Sequence, residues 1–261
     1  MGGRELTRPR RKIYEYGFAV DETRVHIKSD EKAAIREAVE SIRSNRKRLV
    51  EYVRENPKFR YSLEPVEVEA DSPEVVKVMA EAAEAARVGP MAAVAGALAE
   101  MAMEAMLRCG AKLALVENGG EVSVSTDRPI RIAILSADPS FSGRMCLEVT
   151  EEDCSMGVAT SSSRFSHALS FGDADSVTVV ADRASIADAA ATSICNAVSG
   201  GDIEASILKG LWRAREIRGV RGAIIVRGGR VGLTGRLPKI MKVTDDWQNN
   251  GTTLIETRRL L

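Results

Sequence analysis

The sequence predicts an α+β fold with substantial antiparallel sheet. Three observations lead there. Strand-like runs come in groups, with helices interspersed and not in strict alternation. Two of the strand pairs are separated by Gly-containing turns suited to hairpins, Asn118-Gly119-Gly120 and Arg227-Gly228-Gly229. Neither a Gly-x-Gly-x-x-Gly fingerprint nor a P-loop is present, so the parallel nucleotide-binding folds that carry them are excluded.

The elements follow in order. Ile13 to Ile27 reads as two short strands around Val20-Asp21-Glu22, because β-forming residues alternate roughly with polar ones. Ser29 or Asp30 is placed to cap a helix to about Asn56, in which Ile35, Val39, Ile42, Leu49, Val50 and Val53 recur at helical spacing. The Arg43–Arg48 cluster on it reads as a solvated face. Pro57 ends the helix, and the alternation of Leu63, Val66 and Val68 predicts a strand over Tyr61 to Glu69. Ser72-Pro73-Glu74 starts a helix to about Ala86. Gly89-Pro90 then opens an alanine-rich helix that Gly110 stops.

Strands are expected at Lys112–Val116, Val122–Ser125, Ile130–Leu135, Cys146–Thr150 and Gly157–Ala159, and most clearly at Ser176–Ala181. A helix over Ser185–Val198 closes at Gly200-Gly201, and Asp202 caps another to about Ile217. Gly222–Val226 and Arg230–Leu233 make a hairpin. Residues 234–261 are polar and punctuated by Pro and Gly, and read as a C-terminal tail or arm.

Composition removes several function classes. With 261 residues, 44% apolar and 28% charged, the chain can bury a continuous core, which rules out wholesale disorder and collagen. Lys+Arg and Asp+Glu are both 37 and aromatics are 4%, which argues against phosphate-driven or base-stacking nucleic-acid binding. Two histidines, His26 and His167, cannot make a three-histidine zinc site. The four cysteines include no Cys-x-x-Cys pair. Met1 to Lys12 is basic and lacks the apolar run of a signal peptide, so a cytoplasmic, reducing setting is expected. Val88 to Leu107 is the longest apolar stretch, but Glu100, Glu104 and its many alanines favour a buried helix over a membrane span.

Three constellations carry chemistry. In Glu117-Asn118-Gly119-Gly120-Glu121 the turn glycines supply positive φ angles, and they would also let a ligand approach free backbone amides. In Gly157-Val158-Ala159-Thr160-Ser161-Ser162-Ser163-Arg164, four hydroxyl residues and a guanidinium could hold a phosphate, or simply cap a short helix. Asp188, Thr192 and Cys195 fall at i, i+4 and i+7 on one helical face. A carboxylate and a hydroxyl one turn apart suit a hard cation such as Mg²⁺. The competing reading makes Ser185-x-x-Asp188 a capping box at a helix start.

Taken in order, these pieces resemble the ApbE family of flavin transferases, which move FMN from FAD onto a Thr or Ser of a target protein using Mg²⁺. The matching residues are Gly119-Gly120-Glu121, Gly157-Val158-Ala159-Thr160-Ser161, Val177-Thr178-Val179 and Ala187-Asp188-Ala189 through Thr192. Glu-Asn-Gly-Gly-Glu and Ala-Thr-Ser-Ser-Ser are similar to the versions in an uncharacterised ApbE-like family of bacteria and archaea. The resemblance implies a duplicated T-fold, antiparallel sheets backed by helices, as one domain of two intertwined halves. It places Asp188 and Thr192 at metal-ligand positions, and Thr160, Ser161, Gly119 and Gly120 along a flavin-nucleotide site.

The chain also departs from the transferases. Arg87-Val88-Gly89-Pro90-Met91 stands where they carry an acidic residue and Ala-Lys-Gly, and Ser162 replaces the closing Gly of the loop. His167 is not followed by Asp-Pro-x-Thr-Gly. The expectation is therefore an altered flavin/phosphate and Mg²⁺ site, that is, a divergent transferase using FAD or FMN and Mg²⁺. Asn118, Gly119, Gly120, Glu121, Thr160, Ser161, Ser162, Ser163 and Arg164 would bind the ligand, Asp188 and Thr192 the metal, and His167, reaching the pocket, would be a catalytic residue. One alternative makes Cys195 a nucleophile in sulfur transfer, an assignment the ApbE-like family's association with homocysteine formation suggests. Another is a non-catalytic binding protein. Expected partners are a small phosphate-bearing ligand and, as an assembly to test, a homodimer, with neither nucleic acid nor membrane.

Overall fold

A computed structural model describes residues 11–20, 23–162, 171–243 and 254–255. Its centre is an eight-stranded sheet, antiparallel throughout. The strands are β1 (Tyr14–Val20), β2 (Thr23–Ser29), β3 (Ala114–Asn118), β4 (Glu121–Ser125), β7 (Met156–Ser161), β8 (Ser176–Ala181), β9 (Val220–Arg227) and β10 (Arg230–Gly235), in that spatial order. Between β4 and β7 the chain makes β5 (Ile130–Ile134) and β6 (Met145–Val149), which form a smaller sheet with β11 (Lys239–Lys242) and β12 (Leu254–Ile255). Part of the segment read as a tail thus becomes the edge strand β11, antiparallel to β6.

Helices cover one face of the large sheet. They are α1 (Lys32–Glu55), α2 (Pro57–Tyr61), α3 (Glu74–Ala86), α4 (Val94–Arg108), α5 (Ala184–Ala197) and α6 (Ile203–Glu216). The other face packs on the small sheet, where Leu115, Val122, Val158 and Ile224 meet Ile132, Leu147 and Val149. Burial on both faces explains why β3 and β8 are buried at every position although each contains polar residues.

The order of elements is two-fold repetitive. A hairpin (β1–β2), helices (α1, α3, α4) and a hairpin (β3–β4) are followed by a hairpin (β7–β8), helices (α5, α6) and a hairpin (β9–β10). The two sections join where β4 pairs with β7. Over that junction α4 lies on β3 and β4, α5 lies on β7 and β8, and the two helices pack together. Pro90–Arg108 is long and apolar enough to cross a membrane by length and composition; here it packs among α1, α3, α5 and the sheet.

Close packing at the junction depends on two glycines. A Cβ on Gly96 would stand 2.2 Å from the Ala184 carbonyl oxygen, and one on Gly157 would stand 2.3 Å from the Ala184 Cα. Both positions are closed to any side chain, which brings α4 and α5 together and seats the start of α5 on β7.

Four local expectations change. The predicted strand over Tyr61–Glu69 does not form: α2 ends at Tyr61, and residues 62–73 form neither helix nor strand. Pro57 sits in the first turn of α2 and Phe59 is buried edge-on against Tyr52, while Val66 and Val68 pack on the core without pairing. Their alternation reflects side-chain packing alone, with no strand partner. Neither Ser29 nor Asp30 caps α1: the Asp30 carboxylate instead accepts the backbone N–H groups of Lys112 and Leu113, tying the approach to β3. Pro73 itself occupies the cap position of α3, without a side-chain cap. The helix after Gly89 begins with a 3₁₀ turn, Pro90–Ala93, before α4. Asp202 does cap α6, accepting the Ala205 N–H at 3.0 Å.

Candidate functional site

A cavity of about 830 Å³ opens where α1, α2, α4, α5, the β3–β4 turn and the end of β7 converge. Its size is within the range of small-molecule sites.

The β3–β4 turn is a two-residue connection between the paired residues Asn118 and Glu121. Gly119 and Gly120 have φ values of 66° and 118°, the positive angles that the Asn-Gly-Gly sequence anticipated. Buried groups hold the turn. The Glu117 carboxylate accepts the Gly120 N–H at 2.8 Å, and the Arg24 carbonyl accepts the Gly119 N–H. The Asn118 side-chain amide donates to the Ala95 carbonyl at 3.0 Å. Asn118, Gly119 and Glu121 line the cavity.

Asp188 and Thr192, one turn apart on α5, line the same cavity together with Ala191 and Asn196. The capping-box reading fails, because Arg183 holds the cap position and Asp188 is spent elsewhere. Its carboxylate accepts the Gly96 N–H across the junction at 2.8 Å. Ser185, the other member of that pattern, donates its hydroxyl and N–H to Glu100 at 2.7 and 3.0 Å. Glu100 also accepts Arg183 Nε at 2.7 Å, so the first turn of α5 is clamped to α4 by a buried carboxylate.

Burial pushes the Asp188 carboxyl well above the ordinary carboxylate range, and the Glu121 charge adds to the rise. The N–H groups of Gly96 and Ala95, at the start of α4, pull the other way and are outweighed. Two carboxyl groups that resist ionising together beside a hydroxyl are the donor set a small hard cation satisfies. Among the described residues there is no group of three or more His, Cys, Asp or Glu that could hold a metal, so water or ligand oxygens would complete any coordination shell.

The β7 wall supplies Thr160 and Ser161. Thr160 shares a hydrogen bond with Thr178 at 2.9 Å. The Ser161 hydroxyl is buried and has no hydrogen-bond partner among the described residues, an unmet polar atom beside the cavity. Thr160 and Ser161 lie inside the strand and not on a turn, so the loop read over 157–164 begins only after Ser161. Ser162 is buried next to them. Ser163, Arg164 and His167 lie outside the described residues.

Cys195 parts company with Asp188 and Thr192. It is fully buried in the apolar core and does not line the cavity; the face toward the cavity continues through Asn196. Asn196 was not singled out by the sequence, although it repeats the i+4 step that takes Asp188 to Thr192. Its side-chain oxygen accepts the Phe171 N–H at 2.8 Å. Arg46, Arg54, Arg60, Tyr61 and Phe171 also line the cavity and carry no motif that would announce them.

A family model described as AbpE bacteria matches residues 4–210. A UPF0280 protein of Methanopyrus kandleri is 41% identical over 88% of this chain and 94% of its own length. Another, of Methanocaldococcus jannaschii, is 40% identical over 85% of this chain and 91% of its own. Among solved structures, the ApbE protein of Thermotoga maritima aligns with a TM-score of 0.55 at 16% identity, covering 91% of this chain and 99% of that one. The apo flavinyl transferase ApbE of Pseudomonas stutzeri aligns at 0.53 and 16%, covering 86% and 94%. These structural likenesses establish the fold. Matched over most of its length by that family model and by archaeal UPF0280 proteins, the chain belongs to the ApbE-like family of uncharacterised proteins.

Proposed function

We propose that the cavity binds a phosphate-bearing flavin nucleotide together with Mg²⁺, and that the chain acts as a divergent ApbE-like transferase. The observation that carries this reading is the Asp188–Glu121 arrangement: two carboxyl groups line one cavity, and Asp188, which accepts the Gly96 N–H, is pushed toward its neutral form by desolvation first and by the Glu121 charge second. Neighbouring proteins of this fold include flavin transferases by name, which supplies the ligand class. When bound, the cation would neutralise phosphate charge and polarise the phosphoryl group.

The chain's own residues have separable tasks. Asp188 and Thr192 would hold the cation, and the N–H of Gly96 fixes the carboxylate's direction. The Gly119-Gly120 turn permits close approach of the ligand, and the Ser161 hydroxyl would donate to it. The enclosed thiol of Cys195 gives no support to sulfur transfer.

Native mass spectrometry and an absorbance spectrum of the purified protein, with and without Mg²⁺ and FAD, test the reading. A stoichiometric flavin mass that depends on Mg²⁺ and is lost in Asp188→Asn supports it. A mass that never shifts, with no change in melting temperature at millimolar FAD, FMN or Mg²⁺, would retire it in favour of a non-catalytic binding protein.

A further inference from the structure

The cavity has a second chemical character on its α1–α2 side. Arg46 and Arg54 lie eight residues apart on α1, about 12 Å along its axis, and both line the cavity. Arg46 is anchored to the Thr23 hydroxyl at 3.2 Å, beside the strand that supports the Gly119 turn. Arg54 makes no hydrogen bond or ion pair with any described residue. Arg60 lies over the ring of Tyr61, 5.2 Å from its centroid, and has no carboxylate partner among the described residues. The rim here is also apolar: Tyr61, Phe171 and Leu63 are 70%, 65% and 60% exposed while lining the same cavity.

Unpaired guanidinium groups beside exposed rings are the chemistry that recognises a planar anion. Exposed apolar side chains grouped at a cavity mouth mark a binding surface more often than chance exposure does. We infer that Arg54 and Arg60, with Tyr61 and Phe171, form a second subsite that takes a small aromatic anion, a carboxylate or phosphate carried on a ring. The inference rests on the reading that this cavity is the ligand site, but not on the ligand at its other end being a flavin.

Phenyl phosphate is the probe. Calorimetric titration of the full chain at low salt, with inorganic phosphate and benzoate in parallel, reads both the charge and the ring. Phenyl phosphate binds the wild type with or without Mg²⁺. Arg54→Gln weakens it by about tenfold, the effect of losing one charge-assisted hydrogen bond, and Tyr61→Ala by about fivefold. Both substituted positions are exposed, so an unchanged melting temperature shows that the variants fold. Benzoate binding as tightly as phenyl phosphate assigns the site to carboxylates, and weaker benzoate binding assigns it to phosphates; either supports the subsite. Absence of binding at millimolar phenyl phosphate would overturn the inference. So would an Arg54→Gln variant that binds as tightly as wild type, inorganic phosphate binding equally well, or competition by FAD. Arg54-dependent binding in a protein that never takes up flavin would leave the subsite standing and remove the flavin reading alone.

Discussion

The two long walls of the cavity are built on opposite plans. The α5 wall is fixed by a buried network behind its lining residues. Glu100 grips Arg183 and Ser185, and Gly96 grips Asp188 across a contact too close for a side chain. On the α1–α2 wall Arg54 and Arg60 have no carboxylate partner among the described residues, and the rings beside them face solvent. The contrast teaches where the fold fixes geometry and where it leaves room. Groups that would hold a cation need a set position, because a small cation tolerates little error in its donors. Groups that meet a ligand from outside gain from being unpaired until it arrives.

The largest effect should come from breaking the committed wall at its closest point. Gly96→Val places a Cβ 2.2 Å from a backbone oxygen, so α4 and α5 must part. A loss of about 3 kcal/mol in chemical denaturation is expected, as for severe overpacking. Glu100→Ala leaves Arg183 and two donors of Ser185 without their acceptor. Because Arg183 is 39% exposed and water can replace its partner, the cost should be lower, about 2 kcal/mol.

A subtler test uses pH. Asp188 keeps its proton in the folded state to a higher pH than in the unfolded chain. Below about pH 4 it is protonated in both states and contributes nothing. As pH rises, the unfolded chain releases this proton first, so stability falls until the folded group also ionises. Asp188→Asn should flatten that fall in melting curves measured from pH 4 upward; an unchanged slope would place the strain elsewhere. The smallest effect belongs to the open wall. Arg54→Gln should alter stability by less than about 0.5 kcal/mol, and a larger loss would show that Arg54 is structural after all.

The contrast also explains how much could be read from the chain. Ser176–Ala181 was legible as a strand because its β-forming residues are sharply bounded, and it spans those residues. The Gly119-Gly120 turn was legible because only glycine takes those angles readily, and Asp188 with Thr192 because helical periodicity is local. What joins them was not. Glu100 and Ser185 are 85 residues apart, and Gly96 and Asp188 are 92 apart. No local pattern tells a capping box from a cross-junction hydrogen bond, so Asp188 fitted both. Cys195 misled for a related reason. Its offset of seven residues keeps it within about 20° of the Asp188 face, yet the neighbours packed against that stretch of α5 bury it in the core, and helical spacing does not report such tertiary packing. Arg54 and Tyr61 were illegible because an exposed charge or ring looks the same on a bare surface as beside a cavity.

The β4–β7 ladder at the junction holds three residue pairs, the fewest in the large sheet. The cavity straddles that joint, with the Gly119 turn on one side and Asp188 on the other. Any fluctuation that unzips the middle of the molecule therefore dismantles the pocket in the same stroke. A ligand touching both sides would act as a staple, lengthening the lifetime of the whole chain against heat and proteases for as long as it stays bound.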